Sequence, residues 1–197
     1  NYKSHSKDFE KGGYFFLSQP SSIDGNIWNE YDYFMKFIEN YNVDIYIDTV
    51  YIGCISKDFK INLNYNNVKG VFFSLSKAFG VYYHRIGGVF LKESNPLLFG
   101  NMWFKNIFSM YFGEKLMQKY TPQFFAKQYE SEKLKAIKEI ENKIQTEVES
   151  ADSILIANIH KSKREYISQL IRNPDSDLVR ICITPTLEPI IKKKNEK

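Results

Sequence analysis

The residues best suited to covalent chemistry lie close together near the middle of the chain. Lys77 follows the apolar run 71–73, with the small residues Ser74 and Ser76 before it. A lysine at the end of a strand, flanked by small residues, can be approached by a planar aldehyde. The two hydroxyls, with the guanidinium of Arg85, suit a phosphate, which guanidinium binds in a bidentate geometry. Taken alone, Ser-x-Ser-Lys more often means a buried lysine stem beside a surface arginine than a functional site.

A carboxylate closes an earlier apolar run. Asp48 directly follows Ile45-Tyr46-Ile47, and Tyr51 lies three residues further on. By itself an aspartate at a strand end is more often a turn former than a functional group. Polar residues follow predicted strands at 19–22, 48–51 and 74–77. In open α/β sheets, ligands gather at the carboxyl ends of the strands.

These segments are positioned by a predicted strand–helix–strand framework. Apolar residues at helical spacing predict a helix over residues 28–40. Short apolar runs bounded by turn residues predict four strands, Tyr14–Leu17, Ile45–Ile47, Val71–Phe73 and Gly87–Leu91. This pattern predicts an α/β fold with a mostly parallel sheet and flanking helices.

The second half of the chain has a different character. Residues 95–120 are rich in aromatics and methionine, which predicts packed helices, and Glu130 to Glu149 is a charged helix with one apolar face. The remaining predicted elements are a strand at 154–157, a helix at 163–172 and a strand at 178–184. We therefore predict two domains, a larger one over residues 1–120 and a small α/β domain over residues 121–197.

Composition excludes several other classes of protein. The chain has 197 residues, 43% hydrophobic and 25% charged, and a formal charge of +4, which is ordinary for a globular protein. The basic run 192–194 has no aromatic residues among it, which indicates a solvated terminus rather than a nucleic-acid site. No apolar run has the length of a membrane span. Two cysteines without metal-binding spacing favour a reducing, cytoplasmic compartment. The scattered His5, His84 and His160 predict no metal site.

Residues 74–87 closely resemble the signature of class I/II aminotransferases, which are fold-type I enzymes dependent on pyridoxal 5'-phosphate (PLP). In that signature Ser-x-Ser-Lys is followed by glycine three residues on, here Gly80, and by Arg-x-Gly eight residues on, here Arg85 and Gly87. Tyr83 departs from it, because a small or polar residue is usual there. The resemblance implies that Lys77 holds PLP as a Schiff base, while Ser74, Ser76 and Arg85 bind its phosphate.

Two upstream segments extend the resemblance. Residues 45–51 are similar to the family's strand that ends in Asp-x-x-Tyr. This implies that Asp48 pairs with the pyridine nitrogen, keeping it protonated so that the ring can accept electrons, and that Tyr51 hydrogen-bonds the phenolic oxygen. Residues 19–25 stand where the family commonly has Asn-Pro-x-Asn-Pro-x-Gly. Ser22 then replaces an asparagine that binds the phenolic oxygen. Serine can also donate a hydrogen bond, but its side chain is shorter.

Near the C-terminus, residues 179–183 are similar to the family's late strand, whose arginine clamps the substrate α-carboxylate. The resemblance implies this role for Arg180, since a guanidinium fits a carboxylate geometrically. It covers about residues 14–183, although residues 95–175 match only in organisation. The family has a further upstream segment that contributes to the phosphate site, the ring-stacking aromatic and the partner subunit's site. We therefore expect this sequence to be a fragment of a larger homodimeric protein.

The resemblance implies an aminotransferase that moves an amino group between an amino acid and a 2-oxo acid. Two alternatives remain open. The first is another fold-type I reaction, of the C–S β-lyase or cyclopropane-forming synthase type, because the fold and the lysine do not decide between reactions. The second is a degenerate, non-catalytic module. The absent segment, Ser22 and Tyr83 favour the module. The joint presence of five residues argues against it: Lys77, Asp48, Tyr51, Arg85 and Arg180.

Overall fold

The computed structural model describes residues 9, 12–103, 105–166 and 177–196. The chain forms two compact units. The first comprises Asn1–Gln19, Trp28–Val50 and Phe59–Thr121, and the second comprises Pro20–Ile27, Tyr51–Asp58 and Pro122–Lys197. The predicted domain division at residue 120 stays a prediction. Within the described ranges, no helix has both the length and the apolar character required to cross a membrane.

The first unit is built on a four-stranded sheet. Its strands β1 (Gly13–Ser18), β2 (Val43–Asp48) and β3 (Val68–Ser74) are parallel and adjacent in chain order, and β4 (Gly87–Leu91) lies antiparallel beside β3. All four predicted strands are therefore confirmed, as is the mostly parallel α/β sheet. Because β1, β2 and β3 run the same way, the polar residues that follow them lie at one edge.

The core of this unit lies between β2 and one helix, α1 (Tyr31–Ile38). Every second residue of β2 is buried, and α1 contributes residues at helical spacing, so the two apolar faces meet. The buried core residues are Tyr31, Phe34, Met35, Ile38, Val43, Ile45, Ile47, Tyr65 and Val68. The helix is shorter than the predicted range 28–40.

Among the residues that the structure describes, the first unit also contains α2 (Leu75–Ala78), α3 (Gly100–Trp103) and α4 (Ile107–Lys119). Residues 82–84 and 96–98 form single turns of 3₁₀ helix. The helical prediction for residues 95–120 is confirmed in α4, but the prediction that this region is packed is wrong within the described residues. Ile107 and Phe108 are 76% and 89% exposed, and only Ser109 and Gly113 of α4 are buried.

The second unit is a small α/β assembly. It contains α5 (Phe124–Gln128), α6 (Glu130–Ile144), β5 (Glu149–Ser150), β6 (Ile156–His160), β7 (Leu178–Cys182) and α7 (Thr184–Asn195). The three strands form an antiparallel sheet in the order β5-β6-β7. Ile137 of α6 packs with Ala157, Ile159, Val179 and Ile181 of the sheet.

Several details of the second unit differ from the sequence predictions. The strand predicted at 154–157 is β6, over Ile156–His160. Helix α6 ends at Ile144 rather than Glu149, because Gln145 has a left-handed backbone, with φ of 50°. The strand predicted to run to residue 184 ends at Cys182, and α7 follows, with a proline in its first turn, where the missing N–H costs no helical bond. The basic run is thus the end of a helix, and Lys194 binds the buried Glu132 at 3.0 Å. Residues 167–172 of the predicted helix 163–172 lie outside the described residues.

Candidate functional site

The carboxyl edge of the first sheet carries Asp48 at the end of β2. Its Oδ1 accepts a hydrogen bond from Val50 N at 2.9 Å, and its Oδ2 accepts a long one from Ser18 Oγ at 3.4 Å. The side chain is half-buried, and no ion pair joins it to another described residue. A half-buried carboxylate without a cationic partner is suited to bind one.

A tight strand-to-helix turn carries Lys77. Ser74 ends β3 and caps α2, because its Oγ accepts a hydrogen bond from Ser76 N at 3.1 Å. Leu75 and Ala78 are buried and hold the turn in place, while Lys77 is exposed. In the sheet, Asp48 lies opposite Phe72, so the turn begins two residues beyond Asp48 on the neighbouring strand.

Arg85 is brought to the same turn through its neighbour Ile86. The Ile86 carbonyl accepts hydrogen bonds from Leu75 N at 3.0 Å and from Ser74 Oγ at 3.2 Å. Arg85 itself has a left-handed backbone, with φ of 51°, which costs a non-glycine residue about 1–2 kcal/mol. Such strained residues concentrate at functional sites, where the surroundings enforce them. Arg85 is exposed and has no ion pair among the described residues.

The two predicted phosphate-binding hydroxyls differ in their availability. The proton of Ser74 Oγ is donated to the Ile86 carbonyl, so Ser74 can donate to a phosphate only if that bond breaks. The Ser76 side chain is mostly buried, with 7% of the residue exposed. Tyr83, which differs from the aminotransferase signature, is 83% exposed and lies against Tyr82, with ring centroids 4.2 Å apart.

The second unit brings three of the predicted residues together. Arg180 lies on the face of β7 opposite the buried Val179 and Ile181. Its Nη1 donates to the Ser22 carbonyl at 2.6 Å, and its guanidinium carbon lies 5.8 Å from the centre of the Tyr51 ring. Arg180 Nε is buried and has no partner among the described residues. Ser22, Tyr51 and Arg180 therefore form one cluster, although they lie far apart in the sequence.

Sequence reasoning missed the residues that fix the segment around Ser22. Asp152 N donates to Asn26 Oδ1 at 2.9 Å, and Asp152 Oδ2 accepts from Ile27 N at 3.0 Å. Burial alone would raise the pKa of Asp152, but hydrogen bonds from Lys57 and Ile27 hold this pKa below its usual value. Asn158, in the middle of β6, donates from Nδ2 to the Asp24 carbonyl at 2.9 Å. A polar residue inside the apolar run 154–159 was the available signal.

Comparison with known proteins addresses the fold. No protein-family model matches the chain, and no curated protein sequence matches it. Solved structures do match. A PLP-bound protein from Clostridium difficile 630, described as an aminotransferase, superposes with a TM-score of 0.74 at 19% identity, over 99% of this chain and 61% of that one. An Escherichia coli protein with methionine aminotransferase function gives 0.70 at 10% identity, over 100% and 62%.

A third structure is a PLP-bound C–S lyase from Staphylococcus hominis, with a TM-score of 0.66 at 14% identity over 92% of this chain and 54% of that one. The chain thus has the fold of PLP-dependent enzymes of the aminotransferase type. It spans between 54% and 62% of the length of these three structures. At these identities the likeness shows the fold alone.

Proposed function

We propose that this chain is part of a PLP-dependent aminotransferase and that Lys77 binds the cofactor covalently. One observation carries the proposal. On the fold that PLP-bound proteins share, the exposed Lys77 lies in the turn of helix that follows β3, and Asp48, which has no ion pair among the described residues, ends the adjacent strand.

The residues of the first unit fit the cofactor. The half-buried carboxylate of Asp48 has no cationic partner among the described residues and suits a protonated pyridine nitrogen. Arg85 is exposed beside the Lys77 turn and has no anionic partner there, which suits a phosphate. Ser76 N and Ser74 Oγ already bind each other, so we assign to these serines the shape of the phosphate-binding turn as well as contact with the phosphate.

When bound, PLP supplies an electron sink for the bond that breaks at the substrate Cα. Lys77 Nζ would hold the cofactor and, once free as an amine, would move the proton of the substrate Cα. Asp48 would bind the pyridine nitrogen and keep it protonated. Arg180 would bind the α-carboxylate of the substrate, and Tyr51 and Ser22 would hydrogen-bond the phenolic oxygen.

The proposed substrates are an amino acid and a 2-oxo acid, and the proposed assembly of the complete protein is a cytoplasmic homodimer. The C–S lyase among the structural neighbours favours β-elimination as a second candidate. The products distinguish the two reactions. Transamination yields the 2-oxo acid of the donor and an aminated cofactor, whereas β-elimination of a cysteine derivative yields pyruvate and ammonia.

The test is reduction of the PLP-treated chain with borohydride, followed by peptide mapping. We expect one dominant site of attachment, at Lys77, together with a visible absorbance band that Lys77→Ala removes. Lys60→Ala, which removes another exposed lysine of the first unit, is the matched control and should keep both. Attachment spread evenly over surface lysines, or a band unaffected by Lys77→Ala, would refute the proposal.

A further inference from the structure

Two neighbouring side chains in the second unit hold the backbone of one segment, residues 20–27. Asn158 on β6 and Arg180 on β7 are paired across the sheet. Asn158 Nδ2 binds the Asp24 carbonyl at 2.9 Å, and Arg180 Nη1 binds the Ser22 carbonyl at 2.6 Å. The two bonds reach alternate carbonyls of the same segment, so each side chain fixes the place at which the other binds.

The 20–27 segment is itself ordered at both ends. Ser21 N donates to the Asn26 carbonyl at 2.8 Å, and Gly25 N donates to the Ser21 carbonyl at 3.1 Å, which closes a turn. Gly25 lies against β6 so closely that a Cβ there would be 2.8 Å from Ile156 Cβ. Asp152 binds the end of the segment at Asn26 and Ile27. The Ser22 carbonyl is therefore a fixed anchor for Arg180.

This anchor holds only one nitrogen of the guanidinium. Arg180 Nε is buried and lacks a partner among the described residues, and Asn158 Oδ1 is in the same condition. Asn158 as a whole is 1% exposed. A buried donor of a charged group gains much from an acceptor, and a carboxylate accepts from two guanidinium nitrogens at once. The guanidinium of Arg180, whose Nε has no partner among the described residues, is thus suited to a carboxylate ligand.

We infer that Asn158 is a positioning residue, which orients Arg180 for a carboxylate ligand by fixing the backbone of the 20–27 segment. The anchor for Arg180 is a main-chain atom, the carbonyl of Ser22. The identity of the ligand, the α-carboxylate of an amino acid, rests on the proposed function, whereas the role of Asn158 in the segment does not.

The test compares Asn158→Leu, which keeps the volume of the side chain but removes its donor, and Asn158→Ala with Ile23→Ala, which shortens an exposed side chain of the same segment. Far-ultraviolet circular dichroism establishes that each variant is folded. The first readout is hydrogen exchange of peptides covering residues 20–27, without cofactor. Both Asn158 variants should exchange faster there than the wild type, and Ile23→Ala should not. Unchanged exchange in folded Asn158 variants would overturn the inference, even if the chain fails to bind PLP.

The second readout uses the PLP absorbance band to titrate the chain with L-alanine and, separately, with methylamine, which has no carboxylate. We expect Asn158→Leu to weaken the response to L-alanine about tenfold, the effect of about one hydrogen bond, and to leave the response to methylamine unchanged. An equal loss for both amines would show general damage to the site and overturn the positioning role. A wild type without any PLP band would refute the proposed function, and hydrogen exchange alone would then decide the role of Asn158.

Discussion

Replacing Gly25 by alanine tests the packing of the 20–27 segment on β6. Gly25 has φ of +80°, a left-handed conformation that side chains rarely adopt. An added Cβ would also lie 2.8 Å from Ile156 Cβ and 3.0 Å from Ala151 Cβ. These are atoms next to the main chain, so a side-chain rotation cannot relieve the contact. The backbone of the segment or of β6 must move.

The two effects can be separated by a matched control. The left-handed backbone costs an alanine about 1–2 kcal/mol, and overpacking adds about 1–3 kcal/mol, so we expect Gly25→Ala to destabilise the second unit by about 2–5 kcal/mol. Gly80 has φ of +68° but nothing within 4 Å of a built Cβ. Gly80→Ala should therefore lower the free energy of unfolding by only about 1–2 kcal/mol, the cost of the left-handed backbone alone.

The assay must report on each unit separately. The two tryptophans, Trp28 and Trp103, belong to the first unit. Urea unfolding followed by tryptophan fluorescence thus measures how much Gly80→Ala destabilises the first unit. Hydrogen exchange of peptides from β6 and residues 20–27 measures Gly25→Ala in the second unit. If Gly25→Ala is no more destabilising than Gly80→Ala, the contact between the segment and β6 is wrong, and the inference about Asn158 loses its basis.

Two further predictions concern charges in the second unit. Burial alone would raise the pKa of Asp152, but hydrogen bonds from Lys57 and a backbone N–H lower it below its usual value. The stability that Asp152 gives the folded protein is therefore complete above the usual pKa of about 4. It is lost as pH falls through the lower pKa of the folded state. The melting temperature of wild type should therefore fall more between pH 5 and pH 3 than that of Asp152→Asn, and parallel curves would contradict this. Lys194→Ala removes a bond to the buried Glu132, whose pKa is lowered by Lys194 and Ser131 against the effect of burial. In urea unfolding it should cost about 1.5–3 kcal/mol, whereas the exposed Lys192→Ala should cost little, and equal losses would show that the Glu132 bond is not formed.

The parts of the fold that the sequence predicts are those set by short-range patterns. Each strand of the first sheet is an apolar run bounded by turn residues, so its position follows from local composition. The edge that carries Asp48 and Ser74 follows as well, because parallel strands end on the same side of a sheet. The resemblance to aminotransferases drew attention to the same turn.

The rest depends on contacts between residues distant in the chain. Residues 20–27 and 51–58 belong to the second unit, although their neighbours in sequence belong to the first. Their composition does not predict that they belong to the second unit, because this depends on long-range hydrogen bonds such as those of Asn158 and Asp152. Likewise Lys133 is 2% exposed and donates to the Ala151 carbonyl at 2.6 Å, whereas its charge alone would predict a side chain that faces solvent.

The signature around Lys77 combines residues that fold the turn with residues that the fold does not require. Gly87 pairs with Ser74 across β3 and β4, and a Cβ at Gly87 would lie 2.6 Å from the Phe73 carbonyl, so this glycine is set by the approach of two strands. The bonds of Ser74 to Ile86 and Ser76 likewise shape the turn. A non-catalytic module would need these features as much as an enzyme would.

Lys77 and Asp48 have no comparable part in the strand pairing. Lys77 is exposed on the turn, and Asp48 ends β2 without an ion pair among the described residues. Asp48 accepts a hydrogen bond from Val50 N, which a non-catalytic module could also use, but burying a carboxylate without a cation costs stability. Their presence, one strand apart at the same edge, therefore favours a cofactor-binding enzyme over a module that keeps the fold alone.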